Sequence, residues 1–287
     1  MPCMASKKAA LLIVAAAAIF ATNGLYVRFL DLPVEALAAG RLFVGATALY
    51  VYYRFTGKSL RIKSVDGARL LFAAALFNAL AFYTNFAAYA LLPVAMATVL
   101  LYTSSFFSVV LEHFFVKEKR LRKENWLAVF LGLAGVGIIA YGHGLGTGFQ
   151  ANAGLFVGLA SGVAYACTMV LAKKSIKANG CEQTTFYYVL VAGLLLAPFA
   201  LIAHPRFTLE TLGWLAVFGV VNSFVGVSML LRGLKAVKPH HAIILVSLEM
   251  VFAAVYAWLL LGEAITPHVA VGGALIVVAA YLAEKEG

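Results

Sequence analysis

Ten runs of roughly 20 mainly apolar residues, the length a helix needs to cross a bilayer, fill almost the whole chain and leave only short polar breaks. They lie at about 9–29, 34–55, 67–91, 94–116, 125–141, 154–172, 182–203, 209–231, 240–261 and 268–282. Backbone polar groups in hydrocarbon must be satisfied within their own segment, so such runs become helices. The chain is 63% hydrophobic and 12% charged, against about 45–50% and 25% in soluble domains. The expected fold class is therefore an all-α integral membrane protein with ten transmembrane helices. Gly57-Lys58-Ser59, the 117–124 charge run, Gly142-His143-Gly144 and Asn179-Gly180 punctuate the runs, and Pro33, Pro93, Pro205, Pro239 and Pro267 lie at or beside helix starts. Lys7-Lys8 before the first run is also how a secretory signal begins, but that run has a counterpart in the second half, so a retained first helix is expected.

Charge placement orients the spans. Of the 22 Lys and Arg residues, all but Arg28, Arg41 and Arg206 fall on the membrane side that holds the N-terminus. Short cytoplasmic loops collect Lys and Arg, so both termini are expected inside. The net charge of +10 thus reports orientation and gives no reason to expect a nucleic-acid partner. Cys3, Cys167 and Cys181 have no metal or disulfide spacing.

The second half repeats the first at a shift of 145 residues. Residues 247–266, SLEMVFAAVYAWLLLGEAIT, align with 102–121, YTSSFFSVVLEHFFVKEKRL, pairing Phe252 with Phe107, Val255 with Val110 and Glu263 with Glu118. Ala15 likewise maps to Ala160, Ala21 to Ala166, Asn23 to Thr168 and Asn78 to Ser223. Two domains, 1–145 and 146–287, each hold an odd number of spans, so the second enters the membrane from the opposite side. Inverted repeats of this kind are common in secondary transporters, with the substrate near the midplane.

These segments resemble the fourth helix of each half in the drug/metabolite transporter superfamily, whose pattern is a Pro at the position of Ser105 and Met250, a small or aromatic apolar run and a closing Gly-Glu. Both copies here lack that Pro, and Lys117 stands where the first Gly would be. Arg41-Leu42-Phe43 also looks like the family's intramembrane Arg. The resemblance covers essentially the whole chain and implies an EamA-like ten-helix fold with a cavity lined mainly by helices 1, 3, 4, 6, 8 and 9. Within the family, its length and loops are most similar to bacterial amino-acid and metabolite exporters of the inner membrane.

Ionisable groups inside a membrane are costly and face protein or a wet cavity. Glu249, about 15 Å into its span at 1.5 Å per residue, is the first candidate, either as a carboxylate for a substrate amine or coupling proton, or as a hydrogen-bonding group between helices. Arg41 suits a substrate carboxylate, but a packing or helix-pairing role is favoured because its helix is less central in the family. Glu112 and His113 lie near the cytoplasmic end of their span, where side chains reach water. In the third span Asn78, Phe82, Asn85 and Tyr89 recur on one helical face, a pattern suited to a wet aromatic cavity. Gly158, Ser161, Gly162 and Tyr165 in the sixth span and Gly219, Asn222, Ser223 and Gly226 in the eighth serve a cavity or close helix packing equally well. Tyr102, Ser105, Ser108, Ser247, Tyr256, Asn23 and Tyr26 complete the candidate wall.

Neutral polar groups, rings and few charges favour zwitterionic or amphipathic small molecules, whereas sugar phosphates would want several cavity cations. The expected function is a secondary transporter exporting amino acids or related metabolites, with other small amphipathic compounds or drugs as the alternative cargo. An intramembrane enzyme and a passive channel are the readings from other classes. The chain has no G-x-x-x-x-G-K-[ST] run and no H-E-x-x-H, and no cofactor or metal is expected. Proton coupling through Glu249 and facilitated transport both fit this pattern, and the Gly132, Gly135, Gly137 cluster is too weak to predict a dimer.

Overall fold

The computed structural model describes residues 2–105, 107–108, 111, 123–142, 149–234 and 239–284, which are helical with short connections and contain no β-strand. The helices are α1 (Pro2–Phe20), α2 (Asn23–Phe29), α3 (Val34–Phe55), α4 (Val65–Leu91), α5 (Val94–Leu101), α6 (Lys123–Gly142), α7 (Phe149–Asn179), α8 (Cys181–Ile202), α9 (Leu209–Phe218), α10 (Val227–Leu234), α11 (Pro239–Leu261) and α12 (Pro267–Glu284). A π-helical segment, Gly219–Gly226, joins α9 to α10. Helix starts follow local chemistry. Pro33 and Pro93 precede α3 and α5, Ser64 caps α4 by accepting from Gly67 N at 3.0 Å, and Thr208 with Thr211 forms a capping box on α9.

Among the described residues, six helices are long and apolar enough to cross a membrane: Lys8–Phe29, Val34–Phe55, Val65–Leu91, Asn152–Asn179, Cys181–Ile202 and Leu209–Leu230. Trp126–Gly142, Leu245–Leu261 and Pro267–Ala279 are shorter apolar helices, and the expected span at 94–116 runs partly outside the described residues. Large apolar side chains such as Phe55, Leu201 and Leu209 stand exposed around the exterior, a surface suited to lipid and a liability in water.

The pairs α4–α7 and α3–α8 run antiparallel. Lys63 N, just before α4, donates to Asn179 Oδ1 at the end of α7 (3.4 Å), while at the other end Gly154 of α7 packs on Leu92. Lys58 and Glu182 pair at 3.2 Å where α3 ends and α8 begins. Gly135 and Gly272 bring α6 and α12 together so closely that a Cβ on either would lie 2.6–2.7 Å from the other's carbonyl oxygen. Gly137 faces open space.

Packing is reciprocal under the 145-residue shift. The α4–α7 contact corresponds to α1 against the π segment and α10, α5–α7 to α11–α1, and α4–α8 to the π segment against α3. The pairs α3–α8, α5–α11 and α6–α12 map onto themselves, and all of these pairs pack.

Three spans are interrupted. Between α1 and α2, Thr22 N and Thr22 Oγ1 both donate to Ile19 O (3.1 and 2.6 Å). After α5, Thr103 N and Oγ1 both donate to Leu100 O (3.2 and 2.6 Å). The π segment is the third. Tight turns and π stretches inside helices recur at functional sites, and here they surround one buried polar centre.

Candidate functional site

Arg41 sits two turns into α3, about 12 Å from Pro33 at 1.5 Å per residue, and is 4% exposed. Its Cζ lies 4.5 Å from the Phe82 ring centroid, 5.1 Å from that of Phe218 and 5.9 Å from that of Phe86. Each ring contact stabilises a desolvated cation by about 1–2 kcal/mol, which offsets part of the several kcal/mol that burying an ion costs. Rings act on the guanidinium's charge and leave its donors unused. Arg41 Nε and Nη1 are buried without a hydrogen-bond partner among the described residues.

Glu249, ten residues into α11, is 5% exposed. Tyr102, at the interruption after α5, donates to Glu249 Oε2 at 2.8 Å and lies 2.9 Å from Val246 O. Glu249 and Arg41 lie within electrostatic reach of each other and of Tyr89 and Tyr165. Tyr89 also hydrogen-bonds Thr98 at 3.2 Å. One acid and one base thus lie buried within electrostatic reach of each other, among phenols and phenyl rings. Asn78 Nδ2, Asn85 Oδ1, Asn23 Oδ1 and Asn222 Oδ1 are further buried polar atoms without a partner there. Buried polar atoms are normally paired, so these atoms mark the candidate site within the bundle.

The expected residues do not all behave alike. Of the α4 face, Phe82 and Tyr89 approach Arg41, with Tyr165 and Glu249 in electrostatic reach and Tyr102 bound to Glu249; Asn78 and Asn85 share that helical face and are buried. Ser223 is held against Gly45 of α3, a packing role. Asn222 Nδ2 donates to Thr22 Oγ1 at 3.3 Å, tying the π segment to the α1–α2 break. Ser247 is buried two residues before Glu249 on α11. Ser161 and Ser108 turn back on their own backbones at Gly158 O and Ser105 O (2.6 and 2.8 Å), and Tyr256 stacks on Phe252. Tyr26 stacks on Phe218 with centroids 4.1 Å apart. Glu112 and His113 lie outside the described residues. Phe86, Phe218, Tyr188 and Thr22 belong to the region although the sequence reading did not select them. Only Phe86 carried a signal, one turn beyond Phe82.

The family model of the EamA-like transporters matches residues 7–141 and again 152–284. An uncharacterized transporter of Archaeoglobus fulgidus is 28% identical over 285 residues, covering 99% of this chain and 98% of that one. The pseudopaline exporter CntI of Pseudomonas aeruginosa is 28% identical over 251 residues, covering 86% and 85%. A crystal structure with 18% identity covers 97% of this chain and 96% of its own with a TM-score of 0.69, a likeness of fold.

Proposed function

The chain belongs to the EamA-like transporter family, and from that premise we propose that it exports amino acids or closely related zwitterionic metabolites by alternating access between two inverted five-helix halves, 1–145 and 146–287. The protein is a membrane transporter; the cargo, the direction and the alternating halves are the proposal. The observation that carries it is that Arg41 and Glu249 are both buried and within electrostatic reach of each other. A guanidinium whose in-plane donors are free binds a carboxylate through two hydrogen bonds. A carboxylate accepts from an ammonium group. The phenols and phenyl rings around them suit an amino-acid side chain.

Depth supports the same reading. Arg41 lies about 12 Å in from the start of α3 and Glu249 about 15 Å in from the start of α11, and with ten spans those starts lie at opposite faces. In a hydrocarbon core about 30 Å thick, both then sit near the midplane, where repeat-built transporters bind cargo. The twofold match to the family and the reciprocal helix contacts support two related halves. The Lys and Arg bias supports a cytoplasmic N- and C-terminus in a bacterial inner membrane. The name of the Pseudomonas relative supports export of a metabolite.

The test is flux. Purified protein in liposomes should show saturable uptake of members of a labelled amino-acid panel, with sugar phosphates, nucleosides and organic cations as comparators, each with and without a pH gradient. Saturable flux of zwitterions alone is the expected result. Movement of only phosphorylated compounds or only cations would overturn the cargo assignment, and a non-saturable conductance would overturn the carrier.

A further inference from the structure

A cavity of about 540 Å³ lies between the α1–α2 region and the start of α9, lined by Tyr26, Phe29, Asp31, Glu210 and Trp214 among others. Neither Arg41 nor Glu249 lines it. Three features bear on its use. Asp31 and Glu210 are both exposed and have no ion-pair partner among the described residues, so two carboxylates face a cavity whose remaining lining is largely aromatic and aliphatic. Trp214 and Phe29 are half or more exposed, leaving the cavity reachable from outside the bundle. Its inner side adjoins the central site: Tyr26, which lines it, stacks on Phe218, and Phe218 in turn meets the Arg41 guanidinium. Thr22, also in the lining, holds Asn222, whose Oδ1 is buried and unpaired.

We propose that this cavity is an outer vestibule that binds the ammonium end of an aromatic or aliphatic amine-bearing solute, divided from the central site by the Tyr26–Phe218 stack. A cation there is held by carboxylates and by the faces of Trp214 and Tyr26, since aromatic faces attract ammonium groups and opposite charge raises local concentration in a cleft. The division of labour follows from chemistry. The central site has one cation and one anion and suits a zwitterion, whereas the vestibule has anions only and suits the amine. Charge bias puts the end of α2 and the start of α9 on the outer face, so a solute released past Tyr26 meets this cavity before bulk water. The vestibule's place on an exit path rests on the export reading; its amine site does not.

Binding can be read without transport. Trp126, Trp214 and Trp258 are the chain's tryptophans, so Trp126→Phe with Trp258→Phe leaves Trp214 as the sole indole reporter. The detergent-solubilised protein is titrated with 2-phenylethylamine, an aromatic amine lacking a carboxylate, and with 3-phenylpropionate, its anionic counterpart. The expected result is a saturable change in Trp214 emission with the amine alone. Asp31→Asn with Glu210→Gln should weaken it at least tenfold. A linear, non-saturable response, equal binding of the anion, or equal amine affinity in the double variant would overturn the vestibule. Because both carboxylates are exposed, loss of fold is a small risk, and an unchanged elution profile in gel filtration checks it. If the liposome panel shows no flux while the titration saturates, the transport reading fails and the amine site stands; the reverse result separates them the other way.

Discussion

Each of three repeat-related helix pairs has one broken member and one continuous member. The first span breaks at Ala21–Thr22, whereas α7 runs unbroken through the matching Ala166 and Cys167. The fourth span breaks at Tyr102–Thr103, whereas α11 runs through Ser247 and Leu248. The eighth span relaxes into a π segment, whereas α4 is regular from Val65 to Leu91. The groups divide accordingly. Both central charges, Arg41 and Glu249, sit on continuous helices, while the interruptions carry hydroxyls, an amide and rings: Thr22, Tyr102, Asn222 and, just before the π segment, Phe218. Continuous helices hold the charges, and the helices with interrupted ladders carry the neutral groups that, under the proposed transport cycle, would move aside for a solute.

The largest expected effect comes from the charges on the continuous helices. A hydrogen bond to a charged group is worth about 1.5–3 kcal/mol, or roughly tenfold to a hundredfold in rate at about 1.4 kcal/mol per decade. Glu249→Gln keeps side-chain size while removing the charge, Arg41→Gln removes the guanidinium and shortens the side chain, and each should lower amino-acid flux in liposomes by more than tenfold at equal protein content. Arg41→Gln should hit carboxylate-bearing solutes hardest, and Glu249→Gln should hit amine-bearing ones. Indifference of both selectivities would detach the charges from the cargo and leave them as struts.

The broken helices differ from their mates in packing as well. At the crossing of the π segment on α3, Gly45 meets Ser223, and Gly219 packs on Val44 and Arg41 O; the corresponding positions at the α4–α8 crossing are Leu190 with Asn78 and Ala74 with Val189. Gly45→Leu must push the π segment off α3, and overpacking of this kind costs about 1–3 kcal/mol. A drop of several degrees in apparent Tm is expected, larger than that from Leu190→Met at the mate. Equal tolerance of both substitutions would show that the π segment does not depend on close approach.

How far the sequence revealed this arrangement depends on contrast. α3 coincides with the expected span at 34–55 because Pro33 and a polar ending bracket an apolar run. The sixth span was read as ending at 172, yet α7 continues to Asn179: Lys173, Lys174 and Lys177 are good helix formers that carry a helix beyond the apolar layer. The interruptions at Thr22 and Tyr102 were silent, since neither holds a Gly or Pro at the break and each is made by a side chain or carbonyl turning back locally. Arg41, Asn78 and Glu249 stood out as polar residues against an apolar background. Phe86 and Phe218 had no such contrast, and only the fold places their rings beside a guanidinium. The sequence favours a packing role for Arg41; the guest-binding role proposed above rests on its two donors unpartnered among the described residues.

A smaller effect is expected at the hinge between a broken helix and its mate. Tyr102, at the break, gives Glu249 its described hydrogen bond across to the continuous α11. Tyr102→Phe removes that bond while keeping the ring, and a net hydrogen bond is worth about 1 kcal/mol, or roughly fivefold in rate. Flux should fall about that much, with saturation at higher substrate concentration. An unchanged rate would mean that Glu249 is positioned by α11 alone.

The smallest effect lies at the outer end, where broken and continuous helices are tied together. Arg28, at the end of α2, approaches Glu263 at 3.5 Å and donates to Leu92 O at 2.8 Å. Glu263, just beyond α11, accepts from Val94 N at 2.7 Å, supplying the first turn of α5 with the acceptor that Pro93 has no side chain to provide. This cluster joins α2, the α4–α5 turn and α11, so separation of the two halves at that face stretches it. Its ion pair is partly exposed, with the side chains 34% and 19% accessible, and pairs in such settings are worth about 0.2–1 kcal/mol. Arg28→Gln should therefore raise turnover by at most about fivefold where outer opening limits the cycle, and it should flatten the dependence of turnover on external salt, which screens the parent's pair. Slower turnover together with a parent-like salt response would assign Arg28 to holding the Leu92 carbonyl and remove the ion pair from the opening step.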